Sequence, residues 1–188
     1  MTAAPGNIRH CLFDTAFGPC GVAWSARGLV ALQLPERDRT ETERRLAAKA
    51  SSNGAGDPPP AIAASIAQVR DYLSGTRADF SPAPVDLAGI DAFRGKVYAA
   101  LRGVDFGHTV TYGELARQAG VSDWEGARDV GDAMARNPLP VVIPCHRVLA
   151  ANGKLGGFSA HGGTATKLKL LALEGVHFDS GAPRLPGL

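Results

Sequence analysis

Residues 109–150 read TVTYGELARQAGVSDWEGARDVGDAMARNPLPVVIPCHRVLA, and this stretch decides how the second half of the chain folds. It begins with a helix signal, because Thr111 is a suitable N-cap, Glu114 occupies the capping-box position, and Gly120 can end the helix. A second segment of helical periodicity follows, with an inward stripe formed by Ala127, Val130, Gly131 and Met134. Two short helices joined by a tight turn predict a helix-turn-helix unit.

The outward face of the second helix is charged and carries Arg128, Asp129, Asp132 and Arg136. Most helix pairs of this kind are plain packing units, so the pattern alone does not establish a function. The small residues Ala127, Gly131, Ala133 and Ala135 nevertheless make this helix slim. It can therefore lie close to another surface, such as a nucleic-acid groove.

The end of the stretch, VVIPCHRVLA (141–150), places Cys145 between Pro144 and His146. The apolar residues before it predict a buried strand and a dry pocket. A thiol is a poor nucleophile at neutral pH because its pKa is about 8.5, so a reactive cysteine needs a base or a positive field. His146 supplies a neighbouring base. The alternative is that Cys145 is a small buried hydrophobic residue.

The first half of the chain predicts a different architecture. The runs CGVAW and LVALQL around the turn SARG indicate an antiparallel meander, and residues 38–50 and 61–75 contain helix-forming patterns. The segment SSNGAGDPPP (51–60) breaks regular structure, as a solvated loop or linker does. We therefore expect an α/β module over residues 1–87.

Residues 88–188 predict a second, mostly helical domain. Its first helix covers IDAFRGKVYAALRGV (90–104), and its last helix covers TATKLKLLALEG (164–175) with Leu168, Leu171 and Ala172 facing inward. The tail VHFDSGAPRLPGL (176–188) is expected to be irregular.

Composition limits the class of protein. The chain has 188 residues, 45% of them hydrophobic, and a net charge of +2 (20 basic minus 18 acidic), which permits nucleic-acid binding without requiring it. It has no apolar run long enough to cross a membrane and no signal peptide, so we expect a soluble cytoplasmic protein. Three cysteines do not form a complete disulfide framework, and His10, Cys11 and Cys20 match no common zinc spacing. We expect no metal and no cofactor.

The segment NPLPVVIPCHRVLAANGKLGGFS (137–159), with GHTVTYGELARQAG and GARDVGDAMARN before it, closely resembles the O6-alkylguanine-DNA alkyltransferases. The resemblance covers roughly Phe93 to Gly175, with a looser likeness in residues 15–36. It implies a ribonuclease-H-like α/β N-terminal module and a mostly α C-terminal domain with a helix-turn-helix and an active-site loop. It also implies a monomer that acts on double-stranded DNA containing O6-alkylguanine.

The resemblance implies a single-turnover reaction in which Cys145 takes the alkyl group from the base. The family mechanism assigns His146 to activate the thiol through a water molecule, Glu174 to orient the imidazole, and Asn137 to tie the recognition helix to the active-site loop. From the residues alone, Glu174 reads as a surface carboxylate and Asn137 as a helix C-terminal residue before Pro138.

For base flipping, the resemblance implies that Arg128 inserts into the base stack and that Tyr112 pushes on the phosphate of the flipped nucleotide. From the residues alone, Arg128 reads as a solvated arginine and Tyr112 as a core aromatic residue. Phosphate contacts are expected from Arg94, Lys96 and Arg136. The base pocket implied by the family pattern contains Val148, Phe158, Ser159, Met134 and Pro140.

Some features depart from the family pattern. Asp129 and Asp132 place negative charge beside Arg128, Phe158 replaces a common tyrosine, and the turn VSDWE carries Trp124, which would cover the helix pair or touch DNA. The segment SAHGGTATK (159–167) is expanded, with His161 at the rim of the pocket.

Three rival functions remain open. They are a non-catalytic lesion-binding protein, a methylation-sensing transcription factor and a cysteine hydrolase or acyltransferase. The presence of Cys145 argues against the first, and the chain has no room for the additional DNA-binding domain of the second. A hydrolase would turn over many times.

Overall fold

The computed structural model describes residues 7–121, 124–179 and 182–184. The described residues divide into two compact units. The first runs to Ala88 and includes Pro138–Pro140, and the second contains Gly89–Asn137 and the chain from Val141 onward.

The first unit is built on an antiparallel sheet of three strands in the order β1 (Arg9–Thr15), β2 (Gly18–Ser25) and β3 (Gly28–Gln33). The predicted meander is therefore confirmed. Gly28 has a φ of +145°, and a Cβ atom there would lie 2.6 Å from the carbonyl oxygen of Pro84. Only glycine suits this close approach of two backbone segments.

Two helices complete the first unit, α1 (Arg39–Ala50) and α2 (Pro60–Leu73). Leu46 of α1 packs in a buried cluster with Ala23 and Ala31 of the sheet. The periodic apolar residues predicted to face inward on α2 are buried: Ile62, Ile66, Val69 and Leu73.

The segment after α1 is irregular and has no buried residue, as the sequence predicted, but residues 53–56 also pair with a neighbouring strand. The amide of Asn53 donates to the carbonyl of Ile8 at 2.8 Å, and the amide of Gly56 donates to the carbonyl of His10 at 2.9 Å. Backbone groups beside an open sheet edge gain hydrogen bonds by pairing with it, and this pairing outweighs the turn-forming composition.

The second unit is mostly helical, which confirms the predicted fold class. Its elements are α3 (Ala92–Arg102), β4 (Val110–Thr111), α4 (Tyr112–Gln118), α5 (Trp124–Ala135), β5 (Val148–Leu149), α6 (Gly163–Leu173), β6 (His177–Asp179) and β7 (Ala182–Arg184). Strand β4 pairs in parallel with β5, and β6 pairs antiparallel with β7. The β6 and β7 pair replaces the irregular tail expected from the sequence.

The helix-turn-helix prediction is confirmed in α4 and α5. Thr111 caps α4, and its side chain and that of Glu114 form the predicted capping box. On the next helix, Val130, Ala133 and Met134 are buried. The hydroxyl of Tyr98 in α3 donates to the carbonyl of Ala133 at 2.8 Å, so a buried tyrosine ties α3 to α5.

The apolar run before the cysteine is a buried turn and not the predicted strand. Val141 has a φ of +75°, which is unusual for a β-branched residue. Prolines at 138 and 140 lack the backbone donors that a strand needs, so the chain turns here.

Helix α6 also differs from its prediction. Its buried face carries Lys167, Leu170 and Leu171, whereas Leu168 is 39% exposed and Ala172 is exposed. No helix in the described ranges has both the length and the apolar character needed to cross a bilayer.

Candidate active site

Cys145 begins a 3₁₀ turn, Cys145–Arg147, that follows Pro144. It is buried, and it lines a cavity of about 280 Å³ in the second unit. The other residues that line this cavity are Tyr112, Gly131, Met134, Ala135, Gly157, Phe158 and Ser159. The thiol therefore faces a space shared by the helix-turn-helix and the loop that precedes α6.

The imidazole of His146 contacts a buried carboxylate. Its Nε2 lies 2.8 Å from Oε1 of Glu174, and the two side chains are 1% and 0% exposed. Burial lowers the pKa of His146 despite the opposing effect of Glu174, so the ring is neutral at neutral pH. Because Nε2 then carries the proton shared with the carboxylate, Nδ1 is in its acceptor form.

Glu174 lies at the C-terminal end of α6 and is only 2% exposed. Its carboxylate also accepts hydrogen bonds from Nε and Nη2 of Arg147, each at 2.9 Å, and from the amide of Gly107 at 3.1 Å. Burial alone would raise the pKa of Glu174, but the hydrogen bond from His146 and the hydrogen bonds and charge of Arg147 outweigh it and hold the pKa well below its usual value.

Arg147 is the cation that balances this carboxylate, since His146 is neutral. Its Nη1 donates to the carbonyl of Val104 at 2.5 Å, which ties the turn to the end of α3. No role for Arg147 was predicted from the sequence. The available signal was an arginine within an otherwise apolar segment, which must find a partner when it is buried.

Asn137 closes the turn that leads to Cys145. Its Nδ2 donates to the carbonyl of Ile143 at 2.7 Å, and the side chain is buried. Asn137 also follows the end of α5, so both interpretations of this residue are compatible with its position. One side chain thus links the end of the second helix to the segment that carries the thiol.

Tyr112 is the first residue of α4, is half-buried and lines the cavity. Burial raises the pKa of its phenol, with a smaller contribution from Cys145. The hydroxyl therefore stays protonated at neutral pH and can donate a hydrogen bond.

The three arginines predicted to contact DNA differ in their partners. Arg94 pairs with Asp91 at 2.5 Å, and Arg136 pairs with Asp132 at 3.0 Å. Arg128 is exposed on α5 and has no carboxylate partner among the described residues.

The structure brings together some of the predicted pocket residues. Met134, Phe158 and Ser159 line the cavity with Cys145, but Val148 and Pro140 are not among the described residues that do so. Val148 is buried in β5, where it pairs with Val110, and Pro140 belongs to the first unit. The sequence prediction missed Gly131, Ala135 and Gly157 as lining residues, although the small residues Gly131 and Ala135 on α5 were a usable signal.

Lys167 was also missed. Its side chain is fully buried, and its Nζ donates to the carbonyl of Val148 at 2.5 Å and to the carbonyl of Gly157 at 3.3 Å. Burial lowers the pKa of Lys167 to about 8, while the nearby Cys145 acts in the opposite direction. Nothing in the sequence distinguishes the buried Lys167 from Lys169, its exposed neighbour on the same helix.

The remaining sequence candidates lie elsewhere. Cys20 is buried, and burial raises its pKa to about 12; Cys11 is half-buried. Over the part of the chain that the structure describes, no group of three His, Cys, Asp or Glu residues could hold a metal ion. His161 is exposed, and its carbonyl accepts a hydrogen bond from Thr166 at 2.6 Å. The side chain of Trp124 lies outside the described residues.

Both halves of the chain match domains of one known family. Residues 8–87 match the ribonuclease-like domain of 6-O-methylguanine DNA methyltransferase, and residues 92–176 match its DNA binding domain. A methylated-DNA–protein-cysteine methyltransferase of Methanothermobacter thermautotrophicus is 35% identical over 172 residues, covering 92% of this chain and 85% of that protein. The chain belongs to the 6-O-methylguanine DNA methyltransferase family.

Two further relatives are informative. The crystal structure of Mycobacterium tuberculosis OGT in complex with DNA superposes with a TM-score of 0.67 at 32% identity, covering 93% of this chain and 95% of that one. A DNA base-flipping protein of Thermus thermophilus is 41% identical over 108 residues, covering 57% of this chain and 69% of that protein.

Proposed function

We propose that this protein repairs alkylated DNA by direct reversal, moving the alkyl group from O6 of guanine to Sγ of Cys145. One observation carries the proposal: Cys145 lines a cavity, and the adjacent His146 binds the buried carboxylate of Glu174 at 2.8 Å. A nucleophile, a base and a group that orients the base are thereby held in one buried cluster, the arrangement that activates a weak nucleophile.

In the proposed reaction, neutral His146 takes the proton of the thiol on Nδ1 through a water molecule. The thiolate attacks the alkyl carbon, an S–C bond forms, and the C–O6 bond breaks with its electron pair moving into the guanine ring. The proton removed from sulfur is returned to the base through solvent, which restores ordinary guanine. Glu174 holds the imidazole in the required tautomer and stabilises its protonated form.

The product explains why each molecule would act once. A thioether has no easy leaving group, so the alkyl group stays on Cys145. The protein is therefore consumed at one equivalent of repaired base. A cysteine hydrolase with the same residues would instead form an intermediate that water can cleave.

The lesion must leave the base stack to reach the thiol. Phe158 and Met134 provide apolar cavity walls, and the hydroxyl groups of Ser159 and Tyr112 are available to the flipped nucleotide. Arg128, which is exposed and lacks a carboxylate partner among the described residues, would fill the gap in the duplex. Arg94 and Arg136 would contact phosphates only after leaving their partners Asp91 and Asp132.

DNA is the proposed partner, and double-stranded DNA with O6-alkylguanine is the proposed substrate. The cysteine, the histidine and the glutamate of the proposed reaction all come from one chain, which supports action as a monomer. We also propose that the protein acts on chromosomal DNA in the cytoplasm.

A second candidate is a protein that flips and binds the damaged base without chemistry. The 41% identity to a DNA base-flipping protein favours it over a transcription factor or a hydrolase. Cys145 beside His146 and Glu174 favours transfer, because binding alone needs no activated thiol.

The test is an intact-protein mass spectrum after incubation with duplex DNA that carries one O6-methylguanine, with fragmentation to locate the adduct. We expect one methyl group on Cys145, saturating at one equivalent. The matched variants are Cys145→Ser, which should bind the lesion without accepting the methyl group, and Cys11→Ser, which should react like the wild type.

The outcomes separate the candidates. An unmodified protein that still binds the lesion would establish the base-flipping function. A methyl group on Cys11 or Cys20, or transfer by Cys145→Ser, would remove Cys145 from its proposed role. Product formation beyond one equivalent would favour a turnover enzyme.

A further inference from the structure

Lys167 is a buried charged group that the proposed transfer mechanism leaves unused. It lies in α6, its side chain is 0% exposed, and lysine is rarely buried to this extent without a specific partner. Because burial opposes the charged form, it lowers the pKa of Lys167 to about 8. The fold therefore keeps an unfavourable group inside the second unit.

The partners of Lys167 are two carbonyl groups near the reactive cysteine. Nζ donates to the carbonyl of Val148, the residue directly after the turn that carries Cys145, and to the carbonyl of Gly157, which lines the cavity. The ammonium group thus joins the segment behind the thiol to the loop that also carries Phe158 and Ser159.

Lys167 is also close enough for its charge to act on the reacting groups. Its charge interacts with Cys145 and lowers the pKa of His146. Tyr98 and Tyr112 also interact with Cys145 when they ionise. Their pKa values are raised, so both are neutral at neutral pH and supply no charge there. Arg147 is already paired with Glu174.

We propose that Lys167 is a positioning residue for the alkyl transfer. Its ammonium group fixes the carbonyl groups of Val148 and Gly157 at the cavity and supplies a positive field that favours the thiolate of Cys145. The assignment to alkyl transfer rests on the proposed function, whereas the effect on the thiol can be measured without DNA.

The test measures the alkylation rate of Cys145 by iodoacetamide against pH, with the adduct located by mass spectrometry in the full chain. Lys167→Met removes the charge and the donor, and Lys167→Gln removes the charge but retains a donor. We expect the midpoint of the pH profile to rise by about 1 pH unit in both variants, a typical effect of losing one nearby opposite charge.

Lys169→Met is the matched control, because Lys169 is exposed on the same helix. Its midpoint should equal that of the wild type. Lys167→Arg keeps the charge and should stay closer to the wild-type midpoint than Lys167→Gln does. Thermal unfolding of each variant identifies those that remain folded.

Folded Lys167→Gln or Lys167→Met with the wild-type midpoint would overturn the proposal, as would an equal rise in Lys167→Arg and Lys167→Gln. If Lys167→Met does not fold, the comparison of Lys167→Arg with Lys167→Gln tests the proposal. If the wild type accepts no methyl group from O6-methylguanine, the proposed function fails while the alkylation profile still tests the field at Cys145.

Discussion

Nε2 of His146 lies 2.8 Å from Oε1 of Glu174, although 28 residues separate them in the chain. The imidazole is held by the end of α6, and the same carboxylate binds Arg147. The orientation of the base next to Cys145 therefore depends on a helix that follows it in the sequence.

Replacing Glu174 with Gln should slow methyl transfer by roughly 100-fold or more, because the imidazole loses the carboxylate that fixes its tautomer. The variant should also lose about 3 to 5 kcal/mol of stability, since Arg147 remains buried without its counter-charge. Single-turnover transfer and urea unfolding measure the two effects. Asp71→Asn, at an exposed carboxyl on α2, is the control for loss of charge. A folded Glu174→Gln variant with the wild-type transfer rate would contradict the assigned role.

The free energy of unfolding should decrease as the solution becomes acidic, in two stages. Below about pH 6.5 the unfolded state protonates His146 while the buried imidazole, whose pKa is lowered, stays neutral, so falling pH favours unfolding. The pKa of Glu174 is also lowered, so its stabilising contribution is complete above about pH 4.3 and is lost as pH falls through its folded value.

Urea unfolding at pH values from about 8 down to about 2 measures this dependence, because that range begins above the unfolded-state pKa of histidine and extends well below that of glutamate. His146→Gln removes the titration of the buried ring and should flatten the change between about pH 7 and about pH 5. Equal slopes in this range for the variant and the wild type would assign the loss of stability to other groups.

Arg128→Ala should weaken repair of duplex DNA by roughly 10- to 100-fold, because no side chain then fills the gap left by the flipped base. Reaction with free O6-benzylguanine should change little, since that substrate needs no flipping. Arg44→Ala, which removes an exposed arginine paired with Glu41 on α1, is the matched control and should repair duplex DNA like the wild type. Equal losses on duplex DNA and the free base would count against insertion of Arg128.

Gly156→Ala should destabilise the protein through its backbone. Gly156 has a φ of +68°, which L side chains rarely adopt, whereas a Cβ atom there would meet Cε2 of Tyr112 at 3.4 Å, an ordinary van der Waals contact. We expect a loss of about 1 to 3 kcal/mol in the free energy of unfolding, measured with urea, and little change in the transfer rate of the folded variant. Gly113→Ala offers a control, because Gly113 has no positive φ and an added Cβ there meets only the end of the Arg117 side chain at 3.9 Å. Equal stability of Gly156→Ala and the wild type would contradict the expected backbone strain.

Local sequence patterns were sufficient to predict the elements that are stabilised by residues close together in the chain. The capping box of Thr111 and Glu114, the turn between β2 and β3, and the buried stripe on α2 all follow from residues close together in the chain. The family motif also predicted Cys145, His146 and Glu174 as site residues.

The remaining features depend on contacts between distant segments, which periodicity does not report. Residues 53–56 pair with a sheet edge, and Lys167 is buried because two carbonyl groups accept its hydrogen bonds. Val141 turns the apolar run through a positive φ, where hydrophobicity alone predicted a strand. Val148 is buried in the core because its strand pairs with Val110, and its place in the motif did not predict this contact.

The position of α6 has a practical consequence for transferring this chemistry to another scaffold. The thiol lies in the tetrapeptide Pro144 to Arg147. The carboxylate that holds His146, Glu174, and the ammonium group behind the thiol, Lys167, both come from α6 and its end. An excised peptide or a graft of the motif alone would carry an ordinary thiol. The smallest portable unit must therefore include the downstream helix in its native packing.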